Sequence, residues 1–117
     1  MQAVDNKEAP GSEVGLPATV IRKCQAALRL EEQRILNLLS STSRMIEFGD
    51  GGDTAANRAL VGSYRHRLLI TVWALERIED GTFGICVDCR RLISEGRLLA
   101  LPRETRCFDC QTKHGRG

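Results

Sequence analysis

Five cysteines stand in this chain, and four of them fall in two tight pairs, Cys86-Val-Asp-Cys89 and Cys107-Phe-Asp-Cys110, with 17 residues between the pairs. Two C-x-x-C turns joined by a loop of that length match structural four-cysteine sites, in which each pair grips a metal ion from one turn and the loop closes a small domain. One Zn2+ held by Cys86, Cys89, Cys107 and Cys110 has all four positions filled. Such an ion is structural and leaves no place for a catalytic water. The same thiols could instead form two disulfides or a thioredoxin-like redox pair. Neither an apparent signal peptide nor an alternating strand and helix pattern accompanies them, so zinc-bound thiolates in a reducing cytosol are expected. A segment of about 30 residues cannot bury enough apolar surface to fold alone, so metal binding must supply its folding free energy.

The second candidate group is acidic. Asp50 and Asp53 lie in Phe48-Gly-Asp-Gly-Gly-Asp53, followed by Thr54 and Ala55. From residue types alone these acids read as turn and cap chemistry, with Asp53 able to cap the helix that follows. Paired carboxylates can also serve acid-base catalysis, but a projecting turn offers no pocket to shift their pKa values, so no enzymatic activity is expected. Cys24 lies outside both cysteine pairs and on an apolar stripe, where a small buried residue is expected rather than a ligand. His66 and His114 read as solvated surface residues.

Positioning these groups falls to two long helices. Residues 1–16 mix Pro, Gly, Ser and charges without an apolar period and read as a disordered tail. From Pro17, residues 18–47 run without Gly or Pro, with Ile21, Cys24, Leu28, Ile35, Leu38 and Met45 at alternating steps of three and four once Glu31 and Thr42 are admitted as polar members. Glycines break the pattern in a tip at 48–55. It resumes over 54–80 with Val61, Tyr64, Leu68, Leu75 and Ile78, Thr71 filling a polar slot, until Gly81 ends it. Two stripes of similar length bury their seams by folding back, so residues 17–80 are expected to form an antiparallel coiled-coil hairpin with arms of roughly 40 Å. A small zinc finger at 81–111 follows, with Phe83, Ile85, Leu92, Ile93, Leu98, Leu99 and Phe108 as its expected core, a helix capped by Ser94, and a flexible end at 112–117. The fold class is all-α.

Composition narrows the function. No apolar run approaches the roughly 20 residues of a membrane span. The 17 basic and 15 acidic residues give a net charge of +2, too mild to indicate a nucleic-acid partner. Seven basic against four acidic residues do lie in 82–117, but four thiolates on one Zn2+ add about −2 there. The cysteine spacing also fits GATA-like DNA-binding fingers, and the hairpin alone fits a plain coiled-coil interaction module.

The tip Asp50-Gly-Gly-Asp53-Thr-Ala55-Ala56, the segment Leu75-Glu-Arg-Ile-Glu-Asp-Gly-Thr-Phe-Gly-Ile-Cys86 and the cysteine spacing, taken with the hairpin, resemble the DksA/TraR family of bacterial transcription regulators over roughly residues 18–111. The resemblance implies a cytoplasmic bacterial protein whose hairpin enters the secondary channel of RNA polymerase and whose tip, here Asp50, Asp53 and Ala55, alters promoter-complex stability without sequence-specific DNA contact. Nucleotide-responsive members carry basic residues on the second helix and around the finger to hold ppGpp. The aligned positions here are Ile70, Leu101 and Gln111, so little or no ppGpp dependence is expected. The apolar face of Leu69, Val72 and Trp73 could pair two hairpins or pack on the finger, and a monomer with that face on the finger is expected.

Overall fold

The computed structural model describes residues 15–49 and 52–115. Helix α1 (Ala18–Phe48) and helix α2 (Ala55–Asp80) lie side by side as the two arms of a hairpin, and two short helices, α3 (Glu95–Ala100) and α4 (Phe108–Gly115), follow. Among the described residues no strand forms, and the one extended pairing is an isolated bridge between Ile85 and Leu92.

Each arm begins and ends for a local reason. Pro17 precedes α1 with φ −59°, and its carbonyl accepts the amides of Val20 and Ile21, as suits a residue with no N–H of its own to leave unpaired. At the far end the Gly49 amide donates to the Met45 carbonyl. A Cβ on Gly49 would stand 2.7 Å from that oxygen, so the chain turns off the helix there only without a side chain. Thr54 caps α2, its hydroxyl accepting the Asn57 amide at 3.0 Å, and the Asn57 side chain donates back to the Gly52 carbonyl at 2.8 Å. The cap expected from Asp53 is thus supplied one residue later. Gly81, at φ 83°, closes α2 in the left-handed conformation.

The arms meet along Cys24, Leu28, Ile35 and Thr42 of α1 and Thr71 and Ala74 of α2, all buried. Ile21, Leu38, Val61, Tyr64, Leu68, Leu75 and Ile78 are half-buried beside them, while Met45, near the tip, is exposed. Thr71 is completely buried yet satisfied, since its hydroxyl donates to the Arg67 carbonyl one turn back at 2.8 Å.

The core of the small C-terminal unit is shared with the hairpin. Phe83, Cys86, Ile93, Leu98 and Cys110 form one buried cluster with Leu16, Val20, Cys24, Leu28 and Ala74. Of the core expected from sequence, Leu92, Leu99 and Phe108 are instead exposed. Leu92 and Ile93 are neighbours on extended chain and face opposite ways, so only Ile93 turns inward. Leu98 and Leu99 are about 100° apart on one helical turn, and Leu98 takes the inner position. The hairpin base fills the space that those three residues leave.

Both ends of the chain depart from expectation. Of the tail assigned to 1–16, residues 1–14 lie outside the described residues, but Leu16 is buried against Gly84 and Leu98 and belongs to the core. At the other end α4 continues to Gly115, through residues assigned to a flexible end at 112–117. The Thr112 hydroxyl bonds to the Phe108 carbonyl, and His114 reaches Asp88.

Candidate functional site

The local chain path brings the four paired cysteines together. Gly84, at φ 88°, turns the chain after Phe83. The Ile93 amide then bonds to the Gly84 carbonyl and the Cys86 amide to the Arg91 carbonyl, both at 2.8 Å, which folds 84–93 into a tight knuckle. The Arg90 amide closes the turn on the Cys86 carbonyl at 3.0 Å, with Arg90 itself in the left-handed region at φ 67°. The second pair sits at the start of α4, where the Cys110 amide donates to the Cys107 sulfur at 3.5 Å.

As a result the Sγ atoms of Cys86, Cys89, Cys107 and Cys110 all lie within 4.8 Å of one another. The Cys89 and Cys107 sulfurs are 3.8 Å apart. A tetrahedron of Zn–S bonds near 2.3 Å has edges of about 3.8 Å, so the cluster is of the size a zinc ion requires. Burial pushes the Cys86 thiol up, but the amides of Cys89, Cys107 and Asp88 outweigh it and bring its pKa down to about 6. Cys110 moves the other way, to about 12, through its hydrogen bond with Cys107, burial, and its bonds with Cys86 and Cys89. Crowded thiols of this kind lose their protons together only when a cation compensates them. Cys24 stays apart: its thiol donates to the Leu98 carbonyl at 3.6 Å, and burial raises its pKa.

Side chains that sequence reading passed over, joined by His114, which it read as a solvated surface residue, tie the two knuckles from outside. Arg106, next to Cys107, donates through Nε to Asp88, next to Cys89, at 2.6 Å. His114 Nε2 lies 3.3 Å from the same carboxylate oxygen. The half-buried Arg97 donates to the Arg106 carbonyl at 3.0 Å and pairs with Glu104 at 3.5 Å. Asp88 inside the first C-x-x-C was the only short-range signal for this lattice.

At the other end of the hairpin, Asp50 lies outside the described residues. Asp53 and Ala55 are exposed at the tip. Asp53 is not free of partners, because Arg58 Nε lies 3.6 Å from its carboxylate, but both side chains are solvent-exposed and such a pair is worth little. Phe48 stands beside them 82% exposed. The buried cluster that contains Cys86 and Cys110 meets α1 over Val20, Cys24 and Leu28, so roughly 30–40 Å of helix at 1.5 Å per residue separates it from the tip.

A groove of about 740 Å³ runs between α2 and the C-terminal unit. Ile70, Leu101 and Gln111, from three separate segments, converge in its lining together with Trp73 and Val87. Trp73 remains 52% exposed and Leu69 is exposed too, so that face of α2 borders an open groove instead of packing tightly on the finger. Three of the four guanidinium groups in its lining are hydrogen-bonded internally, and the fourth, Arg103, lies 4.0 Å from Glu31. Arg67 bonds to Glu31 at 2.7 Å, Arg106 to Asp88, and Arg77 to the carbonyls of Thr82 and Ile85 at 3.1 and 2.6 Å.

Comparison with known proteins agrees with this geometry. Residues 81–116, which include all four clustered cysteines, match the family model for the prokaryotic dksA/traR C4-type zinc finger. An uncharacterized protein of Aquifex aeolicus (strain VF5) is 50% identical over 38 residues, covering 32% of this chain and 26% of that protein. The RNA polymerase-binding transcription factor DksA of Caulobacter vibrioides is 31% identical over 93 residues, covering 76% of this chain and 66% of that protein. The chain therefore spans about a quarter and just under two thirds of these relatives' own lengths. Transcription factor DksA2 of Pseudomonas aeruginosa shares the fold, with a TM-score of 0.74 at 17% identity over 93% of this chain and 92% of that one. With the four-cysteine cluster, the helical hairpin and a match extending over both, the chain belongs to the DksA/TraR family.

Proposed function

We propose that this protein regulates transcription by binding RNA polymerase, with its hairpin inserted in the secondary channel and Asp50, Asp53 and Ala55 acting at the tip. The observation that carries this reading is the separation of the two ends: an exposed acidic tip stands at the far end of a two-helix rod from the cysteine-built base. A rod two helices wide enters a passage closed to a globular body, and the exposed Asp53 carboxylate at its end favours a site with bound Mg2+ and basic side chains. The Caulobacter vibrioides relative, described as RNA polymerase-binding, supports the partner. No catalytic step is required of the chain. Cys86, Cys89, Cys107 and Cys110 hold one structural Zn2+, and the protein acts in the bacterial cytoplasm as a monomer.

The regulator works with little or no help from ppGpp. Ile70, Leu101 and Gln111 bring no positive charge to the groove in which they meet. Arg67, Arg77 and Arg106 already have hydrogen-bond partners, which a polyphosphate would have to displace.

Crosslinking of the zinc-loaded protein to purified polymerase, together with transcription from a stable-RNA promoter with and without ppGpp, tests both statements. The wild type is expected to crosslink and to shift transcription equally in either condition. Asp50→Asn combined with Asp53→Asn is expected to crosslink but lose the transcriptional effect. Absence of a complex overturns the partner, full activity of the double variant overturns the tip mechanism, and strong enhancement by ppGpp overturns the independence.

A further inference from the structure

We propose that Glu31 is a positioning residue that sets the angle between the hairpin and the finger. Its carboxylate collects three guanidinium groups. Oε2 accepts from Arg67 Nη2 at 2.7 Å and lies 4.0 Å from Arg103 Nη1, and Oε1 is 3.3 Å from Arg34 Nη1. Arg34 is one turn along the same helix, but Arg67 comes from the other arm and Arg103 from the segment after α3. Glu31 is therefore the charged group where all three parts of the molecule meet. Its side chain is only 20% exposed, against 36% for Arg67, 39% for Arg103 and 60% for Arg34, so the pairs with Arg67 and Arg103 are more shielded from solvent than the pair with Arg34.

The reason for a second joint lies in the first. The finger's other attachment to α1 is apolar and centred on Cys24, whose thiol also bonds to the Leu98 carbonyl. Cys24 and Glu31 are seven residues apart, about 10 Å along the helix. An apolar contact is non-directional and allows rocking about its centre. A charged tie placed two turns further along the rod removes that freedom. It also sets the width of the groove between α2 and the finger, because Arg67 and Arg103 both line it. This inference rests on the geometry of the free protein and does not depend on the polymerase reading, so the two can fail separately.

The test uses the full, zinc-loaded chain with spin labels carried on unnatural residues at the exposed positions Ser63 and Glu95, leaving the cysteines intact. Wild type is expected to give one narrow distance distribution. Glu31→Gln and Arg103→Ala should each broaden it at unchanged zinc content and helicity, and the double variant should be no broader than either. Both should also speed exchange at the amides of Val87 and Glu104, which bond to Thr105 and Leu101 in the tied segment, by roughly threefold or more. Arg34→Ala, which removes a contact within α1 alone, should change neither readout. Should Glu31→Gln fail to fold, Arg103→Ala, which removes a half-exposed side chain outside the hairpin, decides alone. An unchanged distribution in Arg103→Ala, or equal broadening by Arg34→Ala, overturns the proposal.

Discussion

Gly84 shows how much a single residue can carry. It combines φ 88° with a position where a Cβ would come 2.5 Å from Leu16 Cδ1. Gly84→Ala therefore meets backbone strain and a clash at once, and is expected to destabilise the zinc-loaded protein by about 2 kcal/mol. Chemical denaturation checks the value. Pairing the change with Leu16→Ala should cost less than the two singles added, because the clash disappears with the leucine side chain. The cysteine cluster was legible in sequence because its signal is local, two turns of four residues whose chemistry admits few readings. The tie of Glu31 to Arg103 was not, since its members are 72 positions apart and Glu31 read only as a polar interruption of an apolar stripe. The choice of Thr54 over Asp53 as the cap of α2 was equally hidden, because adjacent oxygen-bearing residues compete and backbone geometry decides between them.

At the scale of elements, the helical hairpin was readable because its period, its glycine-rich break and its terminator agree with one another. Periodicity alone did not show how burial is distributed along the seam. Ile35 is completely buried midway along α1, whereas Leu30, on the same helix, is 61% exposed. Ile35→Ala is expected to cost about 3 kcal/mol, and Leu30→Ala less than about 0.5 kcal/mol. Thermal unfolding of the two variants separates them, the first melting well below wild type and the second close to it. The finger's core was only partly legible for a related reason. In so short a segment neighbouring apolar residues point opposite ways, and the partners that choose between them, Leu16, Val20 and Cys24, lie more than 50 positions upstream.

For the whole molecule, the shared core would make the Zn2+ proposed for the thiol cluster a determinant of more than its own domain. Cys86 and Cys110 belong both to the thiol cluster and to the apolar core at the hairpin base. Removing the ion leaves four crowded thiols whose proton affinities conflict, and the knuckles that hold Phe83, Ile93 and Leu98 in place lose their staple. The rest of the rod does not depend on that staple. From Leu28 toward the tip the arms are held by Ile35, Thr42, Thr71 and their half-buried neighbours, and Ile35, Thr42 and Thr71 do not belong to the buried cluster at the base. Chelation is therefore expected to melt the finger and fray the hairpin base while the distal rod stays helical. The finger helices contribute 6 and 8 residues against 31 and 26 in the arms, so the far-UV helical signal should fall by about a fifth before a second, separate transition. Amide exchange should place the early loss at 82–115 and around Cys24, with Ile35 still protected. A single cooperative collapse on chelation would mean instead that the arms cannot hold together without the base, and that the rod is not an independent element.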